Sequence, residues 1–106
     1  MTLFISVINN YMSYIAKVIY TRPNAEVSLH TPTAEYTDLI DNYFSSGKII
    51  EKPSKSEDGL TTIWTTTFNT SDDFNEFISE EISKTNSRTR ETHCSDNSIS
   101  YSLESE

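Results

Sequence analysis

The chain contains little cysteine and glycine and no long apolar run, and each scarcity excludes a class of protein. Cys94, its single cysteine, has no partner for an internal disulfide, which favours a reducing compartment such as the cytoplasm. Gly47 and Gly59 are its two glycines, so there is no glycine-rich loop of the kind that cradles phosphates. No apolar run reaches the length of a membrane span, and we expect no membrane partner.

Basic residues are half as numerous as acidic ones. Eight Lys and Arg stand against sixteen Asp and Glu, which gives a formal net charge of -8 at pH 7. Nucleic acids and anionic membranes are recognised by basic side chains that contact phosphate, so nucleic acid is not an expected ligand. An acidic balance favours solubility, and an acidic face is suited to a basic protein partner.

The length and the aromatic content predict one folded domain. A chain of 106 residues matches the size of a single domain, and its 11% aromatic content exceeds that of disordered chains. We predict a single α+β domain over residues 12–103 and an acidic tail over residues 104–106. Residues 1–11 are predicted to form an N-terminal extension, or an extra strand joined through an Asn-Asn turn.

Hydrophobic periodicity predicts the order strand, helix, strand, strand, helix, strand. The strands are expected over residues 14–20, 48–52, 60–68 and 98–103. Helices are expected over residues 32–46, capped by Thr31, and over residues 71–84, capped by Thr70 or Ser71. Residues 53–59 are predicted to be a polar turn region, and residues 85–98 a loop or the frayed start of the last strand.

This element order predicts the ferredoxin-like βαββαβ fold. In that fold the first and third strands are central in a four-stranded antiparallel sheet, and two helices cover one face. Within residues 59–68, "GLTTIWTTTF", the two-residue period places Leu60, Trp64 and Phe68 against the helices. The other face is predicted to be free and to present Ile15, Lys17, Ile19, Thr61, Ile63, Thr65 and Thr67.

In element order, though in no sequence motif, the chain resembles the dimeric α+β barrel proteins over roughly residues 14–103. This resemblance implies a homodimer in which two sheets pack face to face, with Ile15, Ile19 and Ile63 between them. It also implies a small enzyme, cofactor-free or haem-binding and monooxygenase-like, in which His30 or His93 would be the first candidates for a role.

Residues capable of catalysis or metal binding are few and scattered. His93 and Cys94 are adjacent, but in an extended segment they would point to opposite sides, so His93 is poorly placed to activate the thiol. The chain has neither Cys-x-x-Cys pairs nor spaced histidines. We therefore predict no catalytic residue, no metal site and no cofactor.

The densest group of carboxylates lies on the second predicted helix, where Glu76 and Glu80 share a face. We predict a small acidic, non-catalytic binding or regulatory module that acts through protein–protein contacts, such as a phage or accessory inhibitor protein. The dimeric barrel enzyme is the alternative. The predicted partner-binding residues are Ile15, Ile19, Thr61, Ile63, Thr65, Thr67, Glu76, Glu80 and Glu81.

Overall fold

A computed structural model describes residues 13–106, which form a four-stranded antiparallel sheet and three helices. The elements are β1 (Tyr14–Thr21), α1 (Ala34–Ser45), β2 (Ile49–Asp58), β3 (Thr61–Phe68), α2 (Ser71–Ser79), α3 (Glu81–Asp96) and β4 (Ser100–Ser105). The predicted α+β class and the antiparallel sheet are confirmed. The extension or extra strand predicted over residues 1–11 lies outside the described residues.

The strand order is β2-β3-β1-β4, so the first and third strands are central, as the sequence predicts. In the centre of the sheet Val18 of β1 lies opposite Trp64 of β3 and, on its other side, opposite Leu103 of β4. Trp64 and Phe68 lie on the side of the sheet that contacts the helices, and Phe68 is buried. The predicted orientation of the sheet is therefore correct at its central strands.

The second strand is longer than predicted. It continues through Pro53 to Asp58, with register shifts between Ile49 and Ser54. Proline is tolerated there because β2 is an edge strand, and one of its sides requires no ladder hydrogen bond. The turn to β3 follows at Gly59, whose φ of +61° suits glycine, and Leu60 therefore lies in the turn instead of facing the helices.

Helix α1 begins two residues later than the predicted cap implies. Its N-cap is Thr33, whose Oγ1 accepts a hydrogen bond from the backbone N of Tyr36 at 3.2 Å. Thr31 was predicted as the cap, but the threonine after Pro32 provides the hydroxyl at the helix start. The helix ends before Gly47, which has a φ of +80° and provides the predicted stop.

The largest difference from prediction is α3. The single helix predicted over residues 71–84 is broken at Glu80, which has extended dihedrals (φ -66°, ψ 140°), and the second piece continues through Asp96, where a loop or the frayed start of a strand is predicted. The residues that α3 buries are Ser83, Asn86, Arg90 and Cys94. Because most of this buried face is polar, α3 lacks the apolar stripe by which a helix is predicted.

The buried core consists of two clusters. The first contains Leu39, Tyr43, Ile49, Phe68 and Phe77, and the second contains Tyr20, Cys94 and Ile99. Apolar periodicity in the helices and in the last strand predicts Phe44, Ile78, Ile82 and Leu103 to be buried, but these four side chains are exposed, as is Leu60. The helices thus cover the sheet incompletely, and the two clusters do not merge.

Candidate functional site

A cavity of about 280 Å³ lies between the sheet and the helix layer. Strands β1 and β3 form its floor, all three helices and the loop before α1 contribute side chains, and Pro53 of β2 and Leu103, Glu104 and Ser105 of β4 complete the lining. Its lining includes Phe68 and Phe77 from the first core cluster and Tyr20 from the second, so the cavity separates the two. Most of the lining is apolar, and its aromatic members are Tyr20, Tyr36, Trp64, Phe68, Phe74 and Phe77.

Helix α3 contributes a polar wall to this cavity. Ser83, Asn86 and Arg90 line it and are only 4%, 4% and 8% exposed. They lie at positions i, i+3 and i+7 and therefore share one face of the helix. Among the described residues, Ser83 Oγ, Asn86 Oδ1 and Arg90 Nε have no hydrogen-bond partner. We call these three residues the cavity wall.

A fourth buried polar atom without a partner is Arg22 Nε. It differs from the cavity wall because Arg22 already donates through its Nη1 to the carbonyl oxygens of Ala25 and Val27, at 3.3 and 3.0 Å. Those contacts hold the turn after β1 and satisfy part of the guanidinium. Arg22 does not line the cavity, so the unpartnered groups of the cavity are confined to α3.

Arg90 is charged, buried and without an ion pair to any described residue. Its guanidinium carbon lies 5.5 Å from the centre of the Tyr101 ring, a cation–π contact. Burial raises the pKa of Tyr20 and of Tyr36, and the positive charge of Arg90 offsets part of each rise. A buried charge without a counter-charge is costly, and an anion bound in the cavity would remove that cost.

Two histidines lie beside the cavity, near Arg90. His30, in the loop before α1, lines the cavity, and its ring centre is 6.1 Å from that of His93 on α3. His93 Nε2 donates to the carbonyl oxygen of Ser28 at 2.7 Å, and His30 Nε2 lies 3.2 Å from Thr89 Oγ1. Burial, followed by the charges of His93 and Arg90, lowers the pKa of His30, which favours its neutral form.

Cys94 lies on α3 and not in the extended segment that was predicted. Its thiol belongs to the second core cluster, and burial raises its pKa, which disfavours the reactive thiolate. Within residues 13–106, no group of three or more His, Cys, Asp and Glu side chains could hold a metal ion. No helix in the same range is both long and apolar enough to cross a membrane.

The predicted partner-binding residues of the sheet lie together on its face away from the helices. Ile15 pairs with Thr67, Ile19 with Ile63, and Thr65 lies opposite Lys17. Thr61 begins β3 at the end of the same row. Ile15 is exposed on this face, whereas Thr67 is buried. The face is mainly lined by hydroxyl groups, with isoleucines between them.

The three predicted glutamates are divided between two places. Glu76 and Glu80 converge on Tyr43, whose hydroxyl lies 3.3 and 3.0 Å from their Oε2 atoms, and Lys48 Nζ lies 2.8 Å from Glu76. Glu81 begins α3 separately and lies 3.7 Å from Lys84 Nζ.

Charge and burial in this group change the pKa values in opposite directions. Burial, with the two carboxylates adding to it, raises the pKa of Tyr43 well above its usual range. The hydrogen bond from Lys48 lowers the pKa of Glu76. We call Tyr43, Lys48, Glu76 and Glu80 the tyrosine cluster. Its groups satisfy one another, so its capacity to bind an external partner is reduced.

A second, more open concavity of about 520 Å³ lies at the β4 edge. It is lined by Ile15, Lys17, Leu103, Glu104, Ser105 and Glu106. Its charged side chains are exposed to solvent, which already satisfies them. The cavity beside α3 is therefore the stronger candidate site.

The sequence prediction missed all three residues of the cavity wall. Their spacing in S-x-x-N-x-x-x-R is helical, but the same spacing occurs by chance in any polar helix. The signal that identifies them is burial without a partner, which depends on contacts distant in sequence. Comparison of the chain with protein-family profiles, with curated proteins and with solved structures finds no match in any of the three.

Proposed function

We propose that this chain is a small binding module that holds a small, mainly apolar molecule with polar groups in the cavity between its sheet and its helices. The observation that carries this proposal is the cavity wall, where three buried polar atoms have no partner among the described residues. Roughly 90% or more of buried polar groups in folded proteins are hydrogen-bonded. Three exceptions on one side of one cavity indicate groups that serve a ligand.

The size and lining of the cavity support a small ligand. Its volume of about 280 Å³ is close to the lower end of the range for small-molecule sites, roughly 300–1,000 Å³. At about 30 Å³ per water molecule, it has the volume of roughly nine waters. An apolar lining with a few convergent polar groups is the usual composition of such sites.

The packing of the helices on one face of the sheet explains where the cavity lies. We propose that the order β2-β3-β1-β4 is a ferredoxin-like arrangement in which α3 extends the helix layer after α2. Helices on one face of an antiparallel sheet leave a space between the layers wherever their side chains do not fill it. Here the polar face of α3 lies over that space.

The proposal is tested by filling the cavity. Thr66 lines it from β3, and Thr65 is on the opposite face of the same strand. We expect two-dimensional NMR of the wild type to show shifts at Trp64 and Phe68 with octanol-sized apolar fragments. Thr66→Phe should abolish these shifts, and the control Thr65→Phe should keep them. Equal responses of the two variants, or no response of the wild type at millimolar fragment, would refute the proposal.

A second candidate is a protein contact through the uncovered face of the sheet. The observation that favours it is the row of Ile15, Ile19 and Ile63, which lies among hydroxyl groups with Ile15 exposed. A second copy of this chain or another protein partner would cover these side chains. The tyrosine cluster is a weaker docking surface, because both of its carboxylates already contact Tyr43, and Glu76 also contacts Lys48.

Light scattering tests this second candidate. We expect a concentration-dependent dimer that Ile15→Glu dissociates and that the control Ile50→Glu, at an exposed position of β2, leaves intact. A strict monomer at micromolar concentration would exclude the dimer, and with it the dimeric barrel enzyme. Retention of a heterologous partner by the wild type and by Ile15→Glu alike would exclude this face as the contact.

A further inference from the structure

Resting on the ligand-binding function proposed above, we infer that the cavity takes an aromatic carboxylate that carries a hydroxyl or N–H group on its ring. The carboxylate binds Arg90, the ring lies among the aromatic side chains, and the ring's donor reaches Asn86. From the cavity volume of about 280 Å³, the ligand has roughly ten non-hydrogen atoms.

Arg90 determines the charge of the ligand. Its side chain is more than nine-tenths buried, its Nε has no hydrogen-bond partner, and no described carboxylate is within salt-bridge distance. The Nε–H and a neighbouring Nη–H of a guanidinium form a planar fork that matches the two oxygens of a carboxylate, and the Arg90 guanidinium also hydrogen-bonds with the Tyr20 hydroxyl. A neutral ligand would leave this charge uncompensated, whereas a carboxylate would pair with it by strong charge-assisted hydrogen bonds.

Asn86 and Ser83 determine what else the ligand carries. Asn86 Oδ1 is an unpartnered acceptor and therefore requires a donor, and the Ser83 hydroxyl is able to donate or accept. Along α3, Asn86 precedes Arg90 by four residues, an axial distance of about 6 Å at 1.5 Å per residue. That is comparable to the span of a benzene ring with substituents at opposite ends. A ring with a carboxylate-bearing arm at one end and a hydroxyl at the other fits this spacing.

The rings around the cavity determine the body of the ligand. Tyr36 and Phe77 already contact each other edge to face, with ring centres 5.6 Å apart, and Phe68 contacts Phe77 at 5.4 Å. Trp64 adds a half-buried indole from the floor. Such a group receives a further ring in offset or edge-to-face geometry, which adds to the favourable burial of its apolar surface.

Three probes of nearly equal size separate the parts of this inference. 4-Hydroxyphenylacetate has both groups, 4-hydroxyphenylacetamide lacks the charge, and phenylacetate lacks the hydroxyl. By calorimetric titration of the wild type we expect the amide to bind about 10- to 100-fold more weakly than the hydroxy acid. Phenylacetate should bind about 5- to 10-fold more weakly, because one neutral hydrogen bond is lost.

A matched pair of arginine variants locates the anion. Arg90→Met should bind the hydroxy acid about 10- to 100-fold more weakly while its affinity for the amide remains close to that of the wild type. The control Arg88→Met removes an exposed arginine of the same helix, which contacts Thr85, and should bind all probes like the wild type. If Arg90→Met does not fold, the ratio of acid to amide affinity in the wild type still tests the inference.

The outcomes distinguish the inference from the proposed function. If acid and amide bind equally, or if Arg90→Met binds the acid with wild-type affinity, the carboxylate is refuted while a ligand cavity stands. If phenylacetate binds as tightly as the hydroxy acid, the donor to Asn86 is refuted. If neither the three probes nor the apolar fragments bind at millimolar concentration, the proposed function itself fails.

Discussion

Two polar groups lie in the same helix layer, and within residues 13–106 only one of them is paired. In the tyrosine cluster, the Tyr43 hydroxyl and Lys48 both reach the carboxylate of Glu76, with the shortest contact at 2.8 Å. In the cavity wall, Asn86 and Arg90 each have a buried atom that no described residue contacts. The two groups also differ in exposure, because the side chains of Lys48 and Glu76 are 39% and 51% exposed, whereas Asn86 and Arg90 are 4% and 8% exposed.

What a polar residue contributes to stability depends on whether it is paired as well as on how deeply it is buried. Deleting one member of a paired group leaves its partner unsatisfied, and stability falls. Deleting an unpaired buried group removes a desolvation penalty, and stability rises. A residue that lowers stability without a ligand is expected at a binding site. The two groups should therefore respond to mutation with opposite signs.

The largest expected change in the free energy of unfolding comes from Phe77, which lies next to both the tyrosine cluster and the cavity. Phe77 contacts the Tyr43 ring at 5.1 Å, edge to face, and also lines the cavity. Phe77→Ala should lower the free energy of unfolding by about 3–5 kcal/mol, because it removes buried apolar area and enlarges the cavity. Urea unfolding measures this change. The control Phe44→Ala, at an exposed phenylalanine of α1, should change it by about 1 kcal/mol or less.

Removal of the Tyr43 hydroxyl tests whether the pairing within the tyrosine cluster contributes to stability. Tyr43→Phe should lower the free energy of unfolding by about 1–2 kcal/mol, because the carboxylates of Glu80 and Glu76 lose a donor at 3.0 and 3.3 Å. The matched control is Tyr14→Phe, whose hydroxyl donates to Ser105 Oγ at 2.9 Å in an exposed position, so that its loss should change the free energy of unfolding by less. If both substitutions have the same effect, the tyrosine cluster does not act as a paired group.

At the cavity wall, removal of a polar group is expected to raise the free energy of unfolding. Ser83→Ala should raise the free energy of unfolding by about 1–2 kcal/mol, because it removes a buried hydroxyl that has no partner. Alanine also favours the helix, by about 0.5 kcal/mol. The control Ser95→Ala, at an exposed position of α3, measures that propensity gain alone. A destabilised Ser83→Ala would mean that the hydroxyl has a partner after all.

Local patterns predict the parts of the fold that local forces determine. The apolar residues of α1 and the alternation in β3 each lie within one element, and both elements form within two residues of their predicted bounds. The length of β2 and the existence of α3 were missed, because their stability comes from other elements. Strand β2 passes Pro53 by pairing with β3, and α3 buries polar side chains over the cavity.

The same limit applies to the candidate site. The sequence indicates that Glu76 and Glu80 share a helix face, but not that both reach Tyr43, which is 33 and 37 residues away in sequence. It also contains nothing that distinguishes Arg90, which is buried, from Arg88, which is exposed on the same helix. The contacts of the glutamates with Tyr43 and the burial of Arg90 both depend on residues distant in sequence, which apolar periodicity does not predict.

The smallest predicted effect is a dependence on pH within the tyrosine cluster. Lys48 lowers the pKa of Glu76 below its ordinary value of 4.5, so the folded state favours the carboxylate form. A carboxylate with a lowered pKa contributes stability above the unfolded-state value, and that contribution is lost as the pH falls through the folded-state value.

Glu76→Gln should therefore be slightly less stable than the wild type at neutral pH, and the difference should disappear as the pH falls below about 4.5. Urea unfolding of both proteins from about pH 7 to pH 3 measures this. Glu81→Gln is the control, because this side chain is 83% exposed and lies 3.7 Å from its lysine, so little change is expected at any pH. A difference for Glu76→Gln that stays constant below pH 4.5 would show that the charge of Glu76 does not contribute, and that its contact with Tyr43 acts through shape and neutral hydrogen bonding instead.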